Sequence, residues 1–257
     1  MKTIKTITII GSGNVASHIG IALFNKGFSI NEVYSPSIEH ATLLALLVGA
    51  QATNQLNKLN TESDFYLVCI KDDAIDKVLS DMTIKDKIIA HTSGSIDLNV
   101  FETHGFKHYG IFYPLQTFSK NKKVNIAEVP FCIEANTAED ERLLMNLAKE
   151  LSEKVYLVSS EQRKKIHLAA VFACNFTNYM YAVADDLLSK NDLDFDILKP
   201  LIIETAQKVM YASPKSMQTG PAKRNDEAVI KNHIEMLEGM KEYQDIYKII
   251  SDKIKNA

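Results

Sequence analysis

The sequence predicts a doubly wound α/β domain followed by an all-α domain, and three observations lead there. Eight of the ten glycines fall within residues 1–110. In that stretch short apolar runs (ITIIG at 7–11, FYLVCI at 65–70, KIIAHTS at 87–93) alternate with segments of helical period such as NVASHIGIALFNKG and SIEHATLLALLVG. From Glu161 onward the pattern is helical almost throughout. Uninterrupted apolar strands separated by helices belong to a parallel sheet covered on both faces, where neither side of a strand meets water.

The opening MKTIKTITIIGSG has two lysines before an apolar run, like a secretion signal, but it lacks a small-residue cleavage site and flows into a glycine motif. It is therefore expected to be the first strand of a cytoplasmic protein. Past Gly110, IFYPLQTF and VPFCIEA read as strands, Thr137 to about Ser152 as a helix, and KVYLVS as a further strand. The first domain is expected to span 1–158 and the second 159–257. In the second, EQRKKIHLAAVFACNFTNYMYAVADDLLSKN reads as one long helix. FDILKPLIIETAQKVMYAS and DEAVIKNHIEMLEGMKEYQDIYKIISDKI follow, separated by PKSMQTGPAKRN. KNKK at 120–123 reads as a solvated loop.

Composition excludes several classes. With 29 basic and 32 acidic residues the net charge is only −3, so no nucleic-acid partner is expected. No apolar run approaches the roughly 18 residues of a membrane span. Cys69, Cys132 and Cys174 sit in apolar stretches without metal-ligand spacing, which suits packed, reduced thiols. His104 and His108 stand four apart, but Gly105 and the strand-like GIFY argue against a helical metal pair. No metal site is expected.

The chemistry centres on Gly11-Ser12-Gly13-Asn14-Val15-Ala16, a G-x-G-x-x-A string directly after a strand and opening a helix. Gly11 allows the tight turn, Gly13 lets backbone approach a pyrophosphate, and the small Ala16 permits close helix–strand packing. Unpaired N–H groups of the helix start would then meet the phosphates. About 20 residues on, at the end of the second strand, an acid would select NAD. This chain has Ser35-Pro36-Ser37 there, which favours NADP, with NAD the alternative; an equally simple reading makes this a helix-entry turn with a serine cap. Ile70-Lys71 and Thr92-Ser93-Gly94 leave the carboxyl ends of later strands, the edge where open parallel sheets bind ligands. Asp72 would cap the helix after Lys71.

In the helical part, His167, Asn175 and Asn178 are polar positions in the apolar run IHLAAVFACNFTNYMYA. At about 100° per residue they form a stripe, and burial would oblige each to find a partner or a ligand. Glu204 and Lys208 read as a surface pair. Arg224, in the polar turn before a helix capped by Asn225 or Asp226, is a candidate to hold an anionic substrate.

These residues resemble a family. GSGNVA with Ile70-Lys71 and Thr92-Ser93-Gly94 is similar to the Rossmann domain of the pyrroline-5-carboxylate reductase, 6-phosphogluconate dehydrogenase and deazaflavin-dependent NADP oxidoreductase group. The blocks YPLQTF at 113–118, HLAAVF at 167–172, NFTN at 175–178 and QTGPA at 218–222 resemble bacterial Rossmann-like proteins whose C-terminal domain is of unknown function. The resemblance covers nearly the whole chain. It implies a second domain like the 6-phosphogluconate dehydrogenase C-terminal domain, a homodimer, and a role for Gln116 and Thr219 at the substrate. Hydroxyacid dehydrogenases of this superfamily carry a proton-transferring lysine three residues before an asparagine. Asn175 occupies that place here, and an amide cannot do the work, which points away from hydroxyacid chemistry. Related sequences also tend to have an arginine where this chain has Pro36.

The expectation is an NADP-dependent oxidoreductase that passes hydride between the nicotinamide and a small carbonyl or imine. His167 would be the general acid, because imidazole titrates near neutrality, and Asn175 and Asn178 would orient the reactants. The rival is a cofactor-binding sensor or scaffold without turnover.

Overall fold

The computed structural model describes residues 3–120 and 122–256. Met1 and Lys2 of the expected first strand and Asn121 of the KNKK loop lie outside the described residues. The chain divides into two compact units, residues 1–174 and 175–257.

The first unit is built on one eight-stranded sheet. Its strands are β1 (Thr6–Ile10), β2 (Ser29–Tyr34), β3 (Gln51–Thr53), β4 (Phe65–Val68), β5 (Ile88–His91), β6 (His108–Pro114), β7 (Phe131–Ala135) and β8 (Val155–Leu157). They lie in the order β3-β2-β1-β4-β5-β6-β7-β8. The first six pair in parallel; β7 runs antiparallel to β6, and β8 parallel to β7. The order 3-2-1-4-5-6 is that of the Rossmann fold, with its topological switch between β1 and β4. β7 reverses direction after the connection over 115–130, which no local residue pattern announces.

Helices α1 (Asn14–Asn25), α2 (Ile38–Val48), α3 (Asp72–Asp81), α4 (Val100–Thr103) and α5 (Ala138–Leu151) flank the sheet. Alternate strand residues face opposite ways, which separates two cores. Phe65 and Leu67 of β4 pack with Ala16, Ile19 and Leu23 of α1 and with residues of α2 and α5. Tyr66 and Val68 pack with Ile75 and Leu79 of α3 and Phe101 of α4 on the other face. The unit continues past β8 through α6 (Ser160–Ala170), opened by a capping box between Ser159 and Gln162, so compactness reaches beyond residue 158.

The single helix expected over 161–191 is interrupted. A π-helical segment, Val171–Phe176, follows α6 and precedes α7 (Thr177–Ser189). A π-turn takes an extra residue per hydrogen-bonded loop, so the 100° spacing that aligned His167 with Asn178 does not hold across it. The second unit also contains α8 (Lys199–Tyr211), α9 (Glu227–Met236) and α10 (Lys241–Lys255). The last predicted helix breaks between α9 and α10, where Gly239 adopts φ +83°. Asp226 caps α9 by accepting from Val229 N–H, and Glu204 faces Lys208 at 3.6 Å, both as expected. None of the described residues of α7 to α10 is buried, although Leu201, Ile203, Met210, Tyr211 and Ile249 are large and apolar.

Gly11 shows why the first turn admits only glycine. Its φ is +120°, its N–H donates to Tyr34 O at 2.8 Å, and a Cβ would run into the Cys69 carbonyl at the end of β4. Gly11→Ala is expected to destabilise the fold by about 3 kcal/mol or more, through backbone strain and collision with main chain that cannot step aside. Thermal or urea unfolding measures it. An unchanged melt would contradict the close approach of β1 and β4.

Candidate active site

The carboxyl ends of the parallel strands converge on one edge of the first unit, and most of the sequence-predicted cofactor residues lie there. Gly13 is the N-cap of α1, no side chain caps this end, and nothing lies within 4 Å of where its Cβ would sit. Ala16 is fully buried against the sheet. A bare helix N-terminus beneath an open backbone face fits an anionic pyrophosphate. Ser12 and Val15 are half-buried beside it. Ser35 is buried at the end of β2, with its N–H bonded to Thr53 O at 3.1 Å. Ser37 caps α2: its Oγ accepts from His40 N–H and donates to Glu39.

Lys71 is the N-cap of α3, not Asp72 as the sequence suggested, and it uses its backbone rather than its side chain. Asp72 is the first helical residue, and its carboxylate instead accepts from Ser95 Oγ. That bond ties the Ile70-Lys71 loop to the Thr92-Ser93-Gly94 loop. Ser93 is turned inward: its Oγ accepts from the N–H groups of Ser95 and Ile96 at 3.1 and 3.0 Å. Thr92 donates back to Val68 O.

Gly94 meets His167 here. A Cβ on Gly94 would lie 2.6 Å from His167 Nδ1 and 3.0 Å from the Tyr113 ring, so only glycine lets these side chains close over the loop. Tyr113 and His167 share a hydrogen bond of 3.0 Å between Oη and Nδ1, with rings edge to face. Burial foremost, helped by Cys132, pushes the Tyr113 phenol up to about 12, so it keeps its proton. The Tyr113 hydroxyl can donate to Nδ1 or accept from it; where the phenol donates, the ring hydrogen lies on Nε2 as a donor.

Arg163, one turn before His167, holds α6 in place. Its side chain is 0% exposed and pairs with Glu134 of β7 at 2.8 Å. It also donates to the Ile96 carbonyl and to Ser160 Oγ. Ser160 Oγ donates to Glu134 and accepts from Leu98 N–H, and Lys164 pairs with Asp97 at 2.9 Å. Sequence reasoning missed Arg163 because an arginine in EQRKK reads as solvated. Tyr113 was quoted only for family likeness, since its partner lies 54 residues away.

Other expectations meet a different outcome. Asn175 and Asn178 are exposed, so no desolvation cost compels a partner, and Cys174 is exposed rather than packed; Cys69 and Cys132 are buried as expected. Asn175, Asn178, Thr219 and Arg224 belong to the second unit, while Gln116 stands on the segment leaving β6 in the first. His104 ends α4 and His108 begins β6, paired with Asp76 and Asp140 respectively.

Fold and edge together define a dinucleotide-binding α/β protein with a helical second unit. Residues 6–93 match the family described as NADP oxidoreductase, coenzyme F420-dependent, and residues 129–254 match a domain of unknown function, DUF2520. The chain is 46% identical to a Bacteroides fragilis protein described as a "putative NADP oxidoreductase", covering 99% of both chains with a TM-score of 0.94. The chain belongs to that family of NADP oxidoreductases. A Thermotoga maritima protein (22% identity, 97% of both chains, TM-score 0.72) shares the fold. So does an Aspergillus terreus reductive aminase in complex with NADPH and ethyl levulinate (13% identity, 98% of this chain and 95% of that one, TM-score 0.73). Comparison with curated proteins found no match.

The site generates a pH prediction through His91, the fully buried residue before Thr92. Its Nδ1 accepts from Ser93 N–H at 3.1 Å. Burial, then the Arg163 charge, pushes its pKa down to about 3, against the opposing pull of Asp97 and Asp72. The unfolded chain binds a proton near pH 6.5 that the folded chain refuses. This contribution is therefore complete above about pH 6.5 and is lost as pH falls towards 3. His91→Gln should flatten the fall in stability over that window in urea titrations; an unchanged slope would contradict the assignment.

Proposed function

We propose that the protein transfers a hydride between NADP(H) and a small carbonyl or imine, with His167 supplying the proton. The observation that carries this reading is the Gly94–Tyr113–His167 cluster at the carboxyl edge beside the glycine turn. The residues present fit the dinucleotide: Gly11, Ser12, Gly13, Asn14, Val15 and Ala16 would hold the pyrophosphate. Ser35 and Ser37 would stand nearest the 2′-phosphate, and Ile70, Lys71, Thr92, Ser93 and Gly94 would line the nicotinamide half. When bound, the nicotinamide supplies or takes the hydride. His167 Nε2–H donates to the substrate nitrogen or oxygen as charge develops there, and Tyr113 fixes the ring and its tautomer. Hydride to carbon and proton to the heteroatom together complete the reduction of C=N or C=O. That the reductive aminase and an imine reductase from Myxococcus stipitatus in complex with NADP+ share this fold supports the substrate class.

Asn175, Asn178, Gln116, Thr219 and Arg224 are assigned to substrate contact and orientation within the division 1–158 for cofactor and 159–257 for substrate and association. The unburied apolar side chains of α7 to α10 favour a homodimer formed through the helical part. Buried free thiols at Cys69 and Cys132 favour the cytoplasm, and among the described residues no helix is long and apolar enough to cross a membrane.

Light scattering should give twice the 28.8 kDa chain mass; a monomer at micromolar concentration would remove the dimer. NADPH titrated by fluorescence should bind wild type and bind Gly13→Val at least about tenfold more weakly, because a side chain there displaces the phosphates. In a screen of small ketones with and without amines, His167→Ala should lose about 10²–10⁴ in turnover with a near-native melt. NADPH binding without turnover of any carbonyl or imine would favour the sensor. A collapsed melt with unchanged turnover per folded molecule would make His167 structural.

A further inference from the structure

The segment leaving β6 does not follow the sheet. It crosses it. Pro114 ends β6, yet four residues later the Phe118 carbonyl accepts from Asn14 Nδ2 at 2.9 Å, at the first turn of α1. Three strand spacings separate β6 from β1, about 14 Å at roughly 4.8 Å each. Four residues reach about that far only when nearly extended. Leu115 stays alongside β7, its N–H donating to Pro130 O at 2.8 Å, so Gln116 and Thr117 make the passage from the end of β6 towards α1.

A second tether lies one turn along the same face of α1. His18 Nε2–H donates to Ser119 O at 3.0 Å, and its ring sits 5.1 Å from that of Phe118. Phe118 packs against the α1 side of the core. Gln116 Oε1 accepts from Thr117 N–H and Oγ–H, which fixes the side chain and leaves its amide N–H groups for a ligand.

We propose that Leu115–Ser119 is a strap across the carboxyl edge that contacts the bound dinucleotide, with Asn14 and His18 as the positioning residues that hold it. The proposal rests on the dinucleotide reading above and adds to it. Asn14, inside the glycine motif, gives its side-chain amide to the strap and keeps its backbone N–H for a phosphate. The cofactor helix thereby carries the segment that presents Gln116, so dinucleotide affinity depends on a contact one turn away from the phosphate site.

His18 tests this without touching the glycine turn. NADPH is titrated into wild type, Gly13→Val, His18→Ala and His18→Gln, and tryptic cleavage after Lys120 is followed by mass spectrometry with and without saturating NADPH. His18→Ala should bind about five- to tenfold more weakly, the worth of a lost hydrogen bond, and should lose the NADPH protection of Lys120 expected in wild type. His18→Gln, whose amide N–H can reach Ser119 O, should restore both. Wild-type affinity and protection in His18→Ala, with Gly13→Val still defective, would overturn the strap and leave the dinucleotide site standing. Failure of wild type to bind NADPH, or undiminished binding by Gly13→Val, would overturn both.

Discussion

The site depends on one buried guanidinium. Arg163 reaches from α6 to Glu134 on β7 and to the Ile96 carbonyl on the loop after β5, while Ser160 joins the same group. A buried ion pair gains little net stability, because desolvation offsets most of the attraction, but removing one partner strands the other and costs about 3–5 kcal/mol. Its consequence here is placement. With Arg163 fixed, α6 has one seat on the sheet, and His167 one turn later falls over Gly94. The same charge helps keep His91 neutral beneath the loop and loses to burial at Tyr113, which keeps its phenolic proton.

The sheet makes two-sided use of this edge. Along β6, Phe112 faces the core shared with α1, and Tyr113 faces the opposite side with Ile166 of α6 packed nearby. One strand therefore carries the hydrogen-bond partner of His167, the proposed proton donor, and, immediately afterwards, the chain that runs to the glycine helix. The glycine turn and His167 are held by different helices on different faces, joined through β6 and the loops of β4 and β5. The Asp72–Ser95 bond and the inward hydroxyl of Ser93 stiffen those loops, so the edge is organised before any ligand arrives.

Much of this was legible in the sequence, where local chemistry decided the outcome. The alternation of apolar runs and helical periods gave the Rossmann order, and Gly11, Gly13 and Ala16 each do locally what their types suggest. What stayed hidden rests on long-range pairing. Arg163 looks like any charged residue at a helix start, and nothing near Tyr113 announces a histidine 54 positions on. The reverse error came from treating polarity inside an apolar run as burial: Asn175 and Asn178 are exposed, and a π-helical segment spoils the angular arithmetic that aligned them with His167. A cap was also misplaced by one residue at Lys71 and Asp72, because the side chain suited to capping was engaged by Ser95.

In the proposed mechanism the Arg163-anchored helix sets His167, as proton donor, against the reacting end of the cofactor. The crystal structure of the protein soaked with NADPH tests it most directly. Pyrophosphate is expected on the backbone of Gly11 to Ala16 and the nicotinamide ring beside Gly94, with His167 Nε2 facing the space next to its reactive carbon and Nδ1 still bonded to Tyr113. A nicotinamide lying elsewhere on the edge, or a His167 ring turned away from it with Tyr113 unpaired, would rule out His167 as the proton donor.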